Sequence, residues 1–289
     1  MKYIFFGTPR FAAIILEKLI SAGIPPITLV CNPDRPVGRK QTIAPPPTKE
    51  LGIRKRELGI RIFQPETKAE LIKANEQIFQ EADFGIVAAY SMILSKELTE
   101  KTRLGIIGIH PSLLPKYRGP SPIQSAILAG EKETGVSLFL VDERVDHGPV
   151  ISRRTLAVGD EDNYETLEEK LAQLAADLLV EALPNFAEGK ITPLPQDESQ
   201  ATYSKKFTSE DAFISPEDLE LATSGASPEE AVKIYRKTRA LNPEPGVWTL
   251  RQTPGKQKRV KLLEAGLEKD KLILKRIQEA GKKPSGYAD

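Results

Sequence analysis

The amino-acid sequence predicts an α/β protein: a mostly parallel sheet covered by helices on both faces, followed by a small β-rich module. Three observations carry this reading. Up to Ala187, short apolar runs alternate with segments of helical period, the signature of βαβ units. Between Gly189 and Phe207 the alternation stops at Pro193, Pro195 and a polar stretch from Gln196 to Lys206. Beyond the break, one capped helix precedes several short strand-like runs. The expected organisation is a first domain over 1–190, a linker over 191–206 and a C-terminal domain over 207–289.

Tyr3-Ile4-Phe5-Phe6 reads as the first strand. Thr8 is placed to cap the helix that follows, with Pro9 at its first position. Phe11, Ile14, Ile15, Leu16, Leu19 and Ile20 then recur at helical spacing up to Gly23. Ile27–Cys31 reads as the second strand and Thr48–Leu58 as a polar-faced helix, approached through the stiff run Pro45-Pro46-Pro47. Phe84–Ala89 and Gly105–His110 are further buried strands, and Gly135–Val141 and Pro149–Leu156 two more. A long helix from about Tyr164 to Ala187 closes the domain. In the tail, Ser227 followed by Glu230 marks a helix start, and Val247–Leu250, Arg259–Leu263 and Lys271–Leu274 are short strands.

Composition excludes several classes. The 289 residues hold one cysteine, Cys31, so neither a disulfide framework nor a cysteine-based zinc site is expected. Two histidines leave no His-rich metal site, and no metal is expected. No apolar run approaches the roughly 20 residues of a membrane span. The N-terminus runs straight into a strand pattern, so a cytoplasmic protein without membrane contact is expected. The formal net charge of +1 is unevenly placed: from Lys233 onward 15 basic residues meet 6 acidic ones, a net of +9, which leaves −8 for the rest. A basic tail on an acidic body suits a polyanionic partner, although composition alone explains it equally well as a solvated surface.

Gly7-Thr8-Pro9-Arg10-Phe11 sits where a dinucleotide fold carries its glycine loop, but the second and third glycines are absent and no NAD site is expected. No GxxxxGK[ST] phosphate loop occurs either. Both histidines, His110 and His147, fall at the ends of predicted strands, and parallel sheets bind their ligands outside strand carboxyl ends. His110 opens the rigid stretch His110-Pro111-Ser112-Leu113-Leu114-Pro115-Lys116-Tyr117-Arg118-Gly119. Asp142-Glu143-Arg144-Val145-Asp146-His147-Gly148 packs ionisable groups into a tight turn. A carboxylate brought beside an imidazole orients the ring for proton transfer near neutral pH. A lone histidine more often has a structural role, and it is the two loops together that point to a site.

The segments FFGTPRFA at 5–12, NPDRPVGRK at 32–40, FQPE at 63–66, AAYS at 88–91, HPSLLPKYRGPSPIQSAI at 110–127, DERVDHG at 142–148, RALNPEPG at 239–246 and GKKP at 281–284 together resemble the methionyl-tRNA formyltransferases. They cover nearly the whole chain. The SLLP segment and the Asp-x-Gly turn are shared with the wider group of enzymes that use 10-formyltetrahydrofolate. The NPDRPxGR loop and the RAxNPxPG segment are similar to the tRNA-directed branch.

The resemblance implies a Rossmann-like formyltransferase domain followed by an OB-like domain, and 10-formyltetrahydrofolate as formyl donor to the α-amine of methionyl-initiator tRNA. It places the folate against Ala88, Ala89, Tyr90, Ser112, Leu113, Leu114, Pro115 and Asp142, and assigns catalysis to His110 and Asp146. The third catalytic position departs: the family has Asn-x-His where this chain reads Gly108-Ile109-His110. Losing one oxyanion donor costs ~10²–10³ in rate. A backbone N–H or water, or the side chain of Gln124 or Asn32, is a candidate replacement; should the chain form no formyl-methionine above background, an asparagine returned to position 108 is expected to restore activity. Ser91 stands where the family usually has Gly.

For tRNA, the resemblance points to the loop with Arg35, Arg39 and Lys40, Arg39 matching the family's loop arginine. In the tail, Lys233, Arg236, Lys237, Arg239, Lys258 and Arg259 suit phosphates, while Trp248 reads as core. A monomer is expected. The alternatives are a weak or inactive tRNA-binding relative, because of Gly108, and a formyltransferase for a sugar or nucleotide amine, against which the basic tail argues.

Overall fold

The computed structural model describes residues 1–38, 40–74, 78–79, 81–92, 94, 96–99, 101–253 and 256–287. Two compact units result. The first comprises Met1–Gly119, Thr134–Ala157 and Glu168–Tyr203; the second comprises Pro120–Glu133, Val158–Leu167 and Ser204–Asp289.

The strands of the first part are β1 (Tyr3–Gly7), β2 (Thr28–Val30), β3 (Arg35–Val37), β4 (Thr42–Ala44), β5 (Arg61–Phe63), β6 (Phe84–Ala88), β7 (Ile106–His110), β8 (Glu133–Leu140) and β9 (Val150–Ala157). Seven of them form one sheet in the order β5-β2-β1-β6-β7-β8-β9, while β3 and β4 pair as a separate hairpin. β5, β2, β1, β6 and β7 run parallel and β8 antiparallel to β7. β1 and β7 are buried along their whole length. This is why both read as unbroken apolar runs and not as alternating ones.

The helices of six or more residues up to Ala187 are α1 (Arg10–Ser21), α2 (Pro47–Arg54), α3 (Lys68–Lys73), α4 (Pro122–Ala129), which belongs to the second unit, and α5 (Tyr164–Ala187) among the described residues. α1 buries Phe11, Ala12, Ile15, Leu16 and Leu19, the face its helical spacing predicts. Ile4, Phe6, Val30, Leu71 and Ile106 fill part of the core. Two local expectations are corrected. Pro9, not Thr8, stands at the α1 N-cap, and no side chain caps that helix. The Thr8 hydroxyl instead accepts a hydrogen bond from the Asn32 N–H at 3.1 Å, tying the end of β1 to the end of β2. The single helix expected over Thr48–Leu58 ends at Arg54 and resumes as a 3₁₀ turn over Arg56–Leu58, which Gly59 closes in a left-handed conformation.

The second unit carries α6 (Pro216–Ser224) and α7 (Pro228–Leu241), capped by the Ser215 and Ser227 hydroxyls, which accept from Asp218 N–H at 3.0 Å and Glu230 N–H at 3.3 Å. Its strands β10 (Trp248–Thr253), β11 (Lys256–Glu268), β12 (Lys271–Glu279) and β13 (Ser285–Gly286) form an antiparallel meander in that order. β11 and β12 are longer than the apolar runs suggested. Lys269 and Asp270, both at positive φ, make the two-residue turn between them, a turn that matches the twist of the flanking strands. The expected fold class, a mostly parallel sheet followed by a β-rich module, is the one observed. Among the described residues no helix is long and apolar enough to cross a membrane.

Candidate active site

β7 delivers His110 into the interior: the residue is only 5% exposed. Its Nε2 lies 2.8 Å from the Tyr117 carbonyl oxygen. A carbonyl only accepts, so Nε2 carries a hydrogen. Nδ1 is then the atom left to gain and lose a proton, and it faces Asp146 Oδ2 at 3.5 Å. The loop after β7 is shaped for this. Tyr117 takes a positive φ of 57°, the Ser112 hydroxyl donates to the Lys116 carbonyl at 2.5 Å, and Ser137 on β8 donates to the Ser112 carbonyl and accepts from Leu114 N–H.

Asp146 belongs to the turn between β8 and β9 and has a φ of 49°. Its Oδ2 also accepts from Gly119 N–H at 2.8 Å, so loop and turn share one carboxylate oxygen. In the same turn His147 Nδ1 lies 2.5 Å from Asp142 Oδ2, and Asp142 Oδ1 accepts from Arg144 N–H. Gly148 closes the turn where a Cβ would stand 1.8 Å from the Leu140 carbonyl oxygen, a backbone approach that only glycine permits.

The stretch from 191 to 203 folds over this site, and its role was not legible as a polar linker. Leu194 and Val150 exchange backbone hydrogen bonds at 2.7 and 2.9 Å, and Arg118 N–H donates to the Thr202 carbonyl at 2.9 Å. The Arg118 side chain, 1% exposed, donates to Gln196 Oε1 and to the Glu198 carboxylate, with its closest contact to Glu198 at 2.6 Å. Glu198 Oε1 in turn lies 3.4 Å from His147 Nε2. Arg118 holds the Glu198 carboxyl below the usual glutamate range. A depressed carboxyl stabilises the fold above its ordinary pKa, and the contribution is lost as pH falls through the folded-state value. Acidification below the ordinary value of 4.5 is therefore expected to loosen segment 191–203. Limited proteolysis across a pH series checks this.

The formyl transferase family model matches residues 1–183. The methionyl-tRNA formyltransferase of Methylococcus capsulatus is 39% identical over 245 residues, covering 85% of this chain and 75% of the relative. That of Kosmotoga olearia is 39% identical over 269 residues, covering 92% and 80%. The chain belongs to the methionyl-tRNA formyltransferase family. Among solved structures, the methionyl-tRNA formyltransferase from Clostridium thermocellum aligns with a TM-score of 0.59 at 20% identity, over 96% of this chain and 98% of that one. HypX from Aquifex aeolicus in complex with tetrahydrofolic acid aligns at 0.63 and 18% identity. It covers 98% of this chain, which spans about half, 45%, of the HypX chain. At such identities the two structures share the fold.

Against the family pattern, Gly108 has a structural counterpart. It stands directly opposite Phe139 on β8, and a Cβ at Gly108 would lie 2.4 Å from two carbons of the Phe139 ring. Phe139 packs with Leu114 and Val150. The aromatic ring lies in the space that a side chain at position 108 would enter. Of the candidate replacements, Asn32 has its Oδ1 engaged by the Ser91 hydroxyl at 3.0 Å, which is the use this chain makes of Ser91.

The other expected folate residues are unequally accessible. Ser112, Leu114 and Pro115 are buried, Leu113 half-buried and Ala89 exposed in a left-handed conformation. Ala88 is core, and Tyr90 packs against Phe6 with a buried hydroxyl that has no partner among the described residues. Burial pushes that hydroxyl up to about 12 and the nearby Cys31 thiol up to about 11. Cys31, fully buried, is expected to resist alkylation at neutral pH until the protein unfolds, as mass spectrometry after iodoacetamide treatment will show.

Arg35 and Lys40 lie exposed on the β3–β4 hairpin, whose base is held where Asp34 accepts from Lys49 and Gln64. Arg39 lies outside the described residues. In the second unit the expected cations are engaged locally. Lys233 pairs with Glu230, Arg236 donates to the Ala129 carbonyl, Lys237 to that of Phe213 and Arg239 to that of Asp162. Lys258 is half-buried, and Arg259 stacks on Trp248 with its Cζ 4.0 Å from the ring centroid. Trp248 also packs on Phe213 and donates its indole N–H to the Ser209 carbonyl, which gives it a packing role. Among the described residues no group of three or more His, Cys, Asp and Glu could hold a metal ion.

Proposed function

We propose that this chain transfers the formyl group of 10-formyltetrahydrofolate to the α-amine of methionyl-initiator tRNA in the cytoplasm. One observation carries the reading: with Nε2 committed to the Tyr117 carbonyl, His110 presents Nδ1 as its exchangeable atom beside Asp146. Formyl transfer to an amine needs a proton removed from the attacking nitrogen and a proton supplied to the leaving one. His110 Nδ1 takes the first, and Asp146 stabilises the resulting imidazolium. The folate cosubstrate, when bound, supplies the formyl carbon. The residues expected at the folate fit such a ligand: Leu113 offers partly exposed apolar surface, Ala89 exposed backbone, and Tyr90 Oη a buried donor without a partner among the described residues.

The exposed cations of the β3–β4 hairpin and of the C-terminal sheet suit tRNA phosphates. Gly108 favours a slower member of the family, because no side chain there reaches the developing oxyanion; the deficit expected from one missing donor is ~10²–10³. The test compares acceptors directly. With labelled 10-formyltetrahydrofolate, formyl-methionyl-tRNA is expected to form, and an amino-sugar nucleotide is expected to remain unformylated. Transfer to the sugar nucleotide alone would overturn the reading.

A further inference from the structure

We infer that Gln196 is a positioning residue for Asp146, acting through the backbone of the turn that carries it. The inference rests on the catalytic reading of Asp146. Gln196 Nε2 donates to the Asp146 carbonyl at 2.9 Å and to the Gly148 carbonyl at 2.8 Å. Its Oε1 accepts from Arg118 Nε at 3.1 Å and from a terminal guanidinium nitrogen at 2.8 Å. The orientation of the amide is fixed by chemistry: carbonyls only accept and a guanidinium only donates, so each end of Gln196 has one compatible set of partners. Both ends are saturated.

The turn needs such a clamp. Asp146 holds a φ of 49°, a left-handed backbone that residues other than glycine seldom adopt. Its carboxylate is useful only while it faces His110 Nδ1 and Gly119 N–H at once. A shift of about 1 Å in a catalytic group can cost on the order of 10²-fold in rate. Gln196 bridges the carbonyls on either side of His147 and so sets the direction in which the Asp146 side chain leaves the turn.

The segment that delivers Gln196 is itself anchored on both sides. Leu194 is bonded to Val150 ahead of it, and Thr202 donates to the Pro115 carbonyl and accepts from Arg118 N–H behind it. Arg118 adds its ion pair to Glu198. Segment 191–203 therefore stays in place without the Gln196 amide, which separates positioning of the turn from attachment of the segment.

Gln196→Glu tests this. The variant keeps the chain length and keeps an acceptor for Arg118, but turns two N–H donors into oxygen lone pairs facing two carbonyl oxygens. Single-turnover transfer at saturating substrates is expected to fall on the order of 10²-fold. The dissociation constants for folate and tRNA, and the proteolytic protection of segment 191–203, are expected to stay within twofold of wild type. A fall of less than fivefold overturns the proposal, as does a loss that appears only together with release of segment 191–203. Asp146→Asn run beside it must lose at least as much. A wild-type chain that transfers no formyl would overturn the functional reading itself, and is seen in its own arm.

Discussion

His110→Ala is expected to lower the single-turnover rate of formyl transfer by ~10³-fold, within the range attributed to a general acid–base residue. The size follows from the absence of a substitute. His110 ends β7, its Nε2 is spent on the Tyr117 carbonyl, and its Nδ1 faces Asp146. Removing the ring also leaves the Tyr117 carbonyl without that donor, which costs about 1–3 kcal/mol if water does not replace it. A thermal melt separates the two effects: a shift of a few degrees with tRNA affinity retained leaves the rate loss to chemistry. A rate within tenfold of wild type would mean that proton transfer passes through solvent or another group.

The second large effect concerns Gly108. Gly108→Asn alone is expected to destabilise the protein by about 1–3 kcal/mol, the cost of forcing extra atoms into a packed core, and to leave the rate no higher than wild type. The reason is the Phe139 ring, 2.4 Å from the site of the new Cβ. Gly108→Asn with Phe139→Val should relieve the clash, so the stability of the double variant should exceed the sum of the singles by more than about 1 kcal/mol, the mark of residues in contact. Only the double variant is then able to place an amide beside His110, and its rate is expected to rise on the order of 10²-fold. Urea melts and single-turnover assays on the two singles and the double check both halves. A Gly108→Asn single variant that melts with wild type and transfers formyl faster would show that the ring yields freely.

Much of this site was legible along the chain, and the remainder was not, for a common reason. The apolar run that ends at His110 and the ionisable turn around Asp146 are local patterns, and both fall where the sequence placed them. What each side chain does is decided by partners far away. Phe139 meets Gly108 through the register of an antiparallel pair, which no strand shows by itself. Arg118 finds Gln196 and Glu198 across 78 and 80 positions, so the polar, proline-marked stretch that reads as a linker gives no local sign that Gln196 reaches the turn around Asp146. Thr8 had the residue type and spacing of a cap, and lost that role because Pro9 takes the N-cap and Asn32 N–H is within reach. The three-residue strands β2 and β5 lie side by side at the sheet edge. Only β2, flanked by apolar residues, shows as a run in the sequence; β5 is too short to generate a period of its own.

The helical cations make the same point in the second unit. Arg236 and Arg239 have the composition of a phosphate-binding face, yet each donates to a backbone carbonyl of its own unit. The exposed Arg35 and Lys40 on the hairpin keep that capacity more openly.

In the mechanism proposed for this chain, His110 moves the proton of formyl transfer and Asp146 stabilises the imidazolium. The most direct measurement is a rapid-quench single turnover, with enzyme in excess over labelled formyl donor and methionyl-initiator tRNA, for wild type and His110→Ala side by side. Formyl-methionyl-tRNA is expected from wild type and a rate lower by ~10³-fold from the variant, with both proteins binding tRNA alike. Wild-type protein that binds the tRNA and yields no formyl-methionine above background, or a variant as fast as wild type, would contradict it.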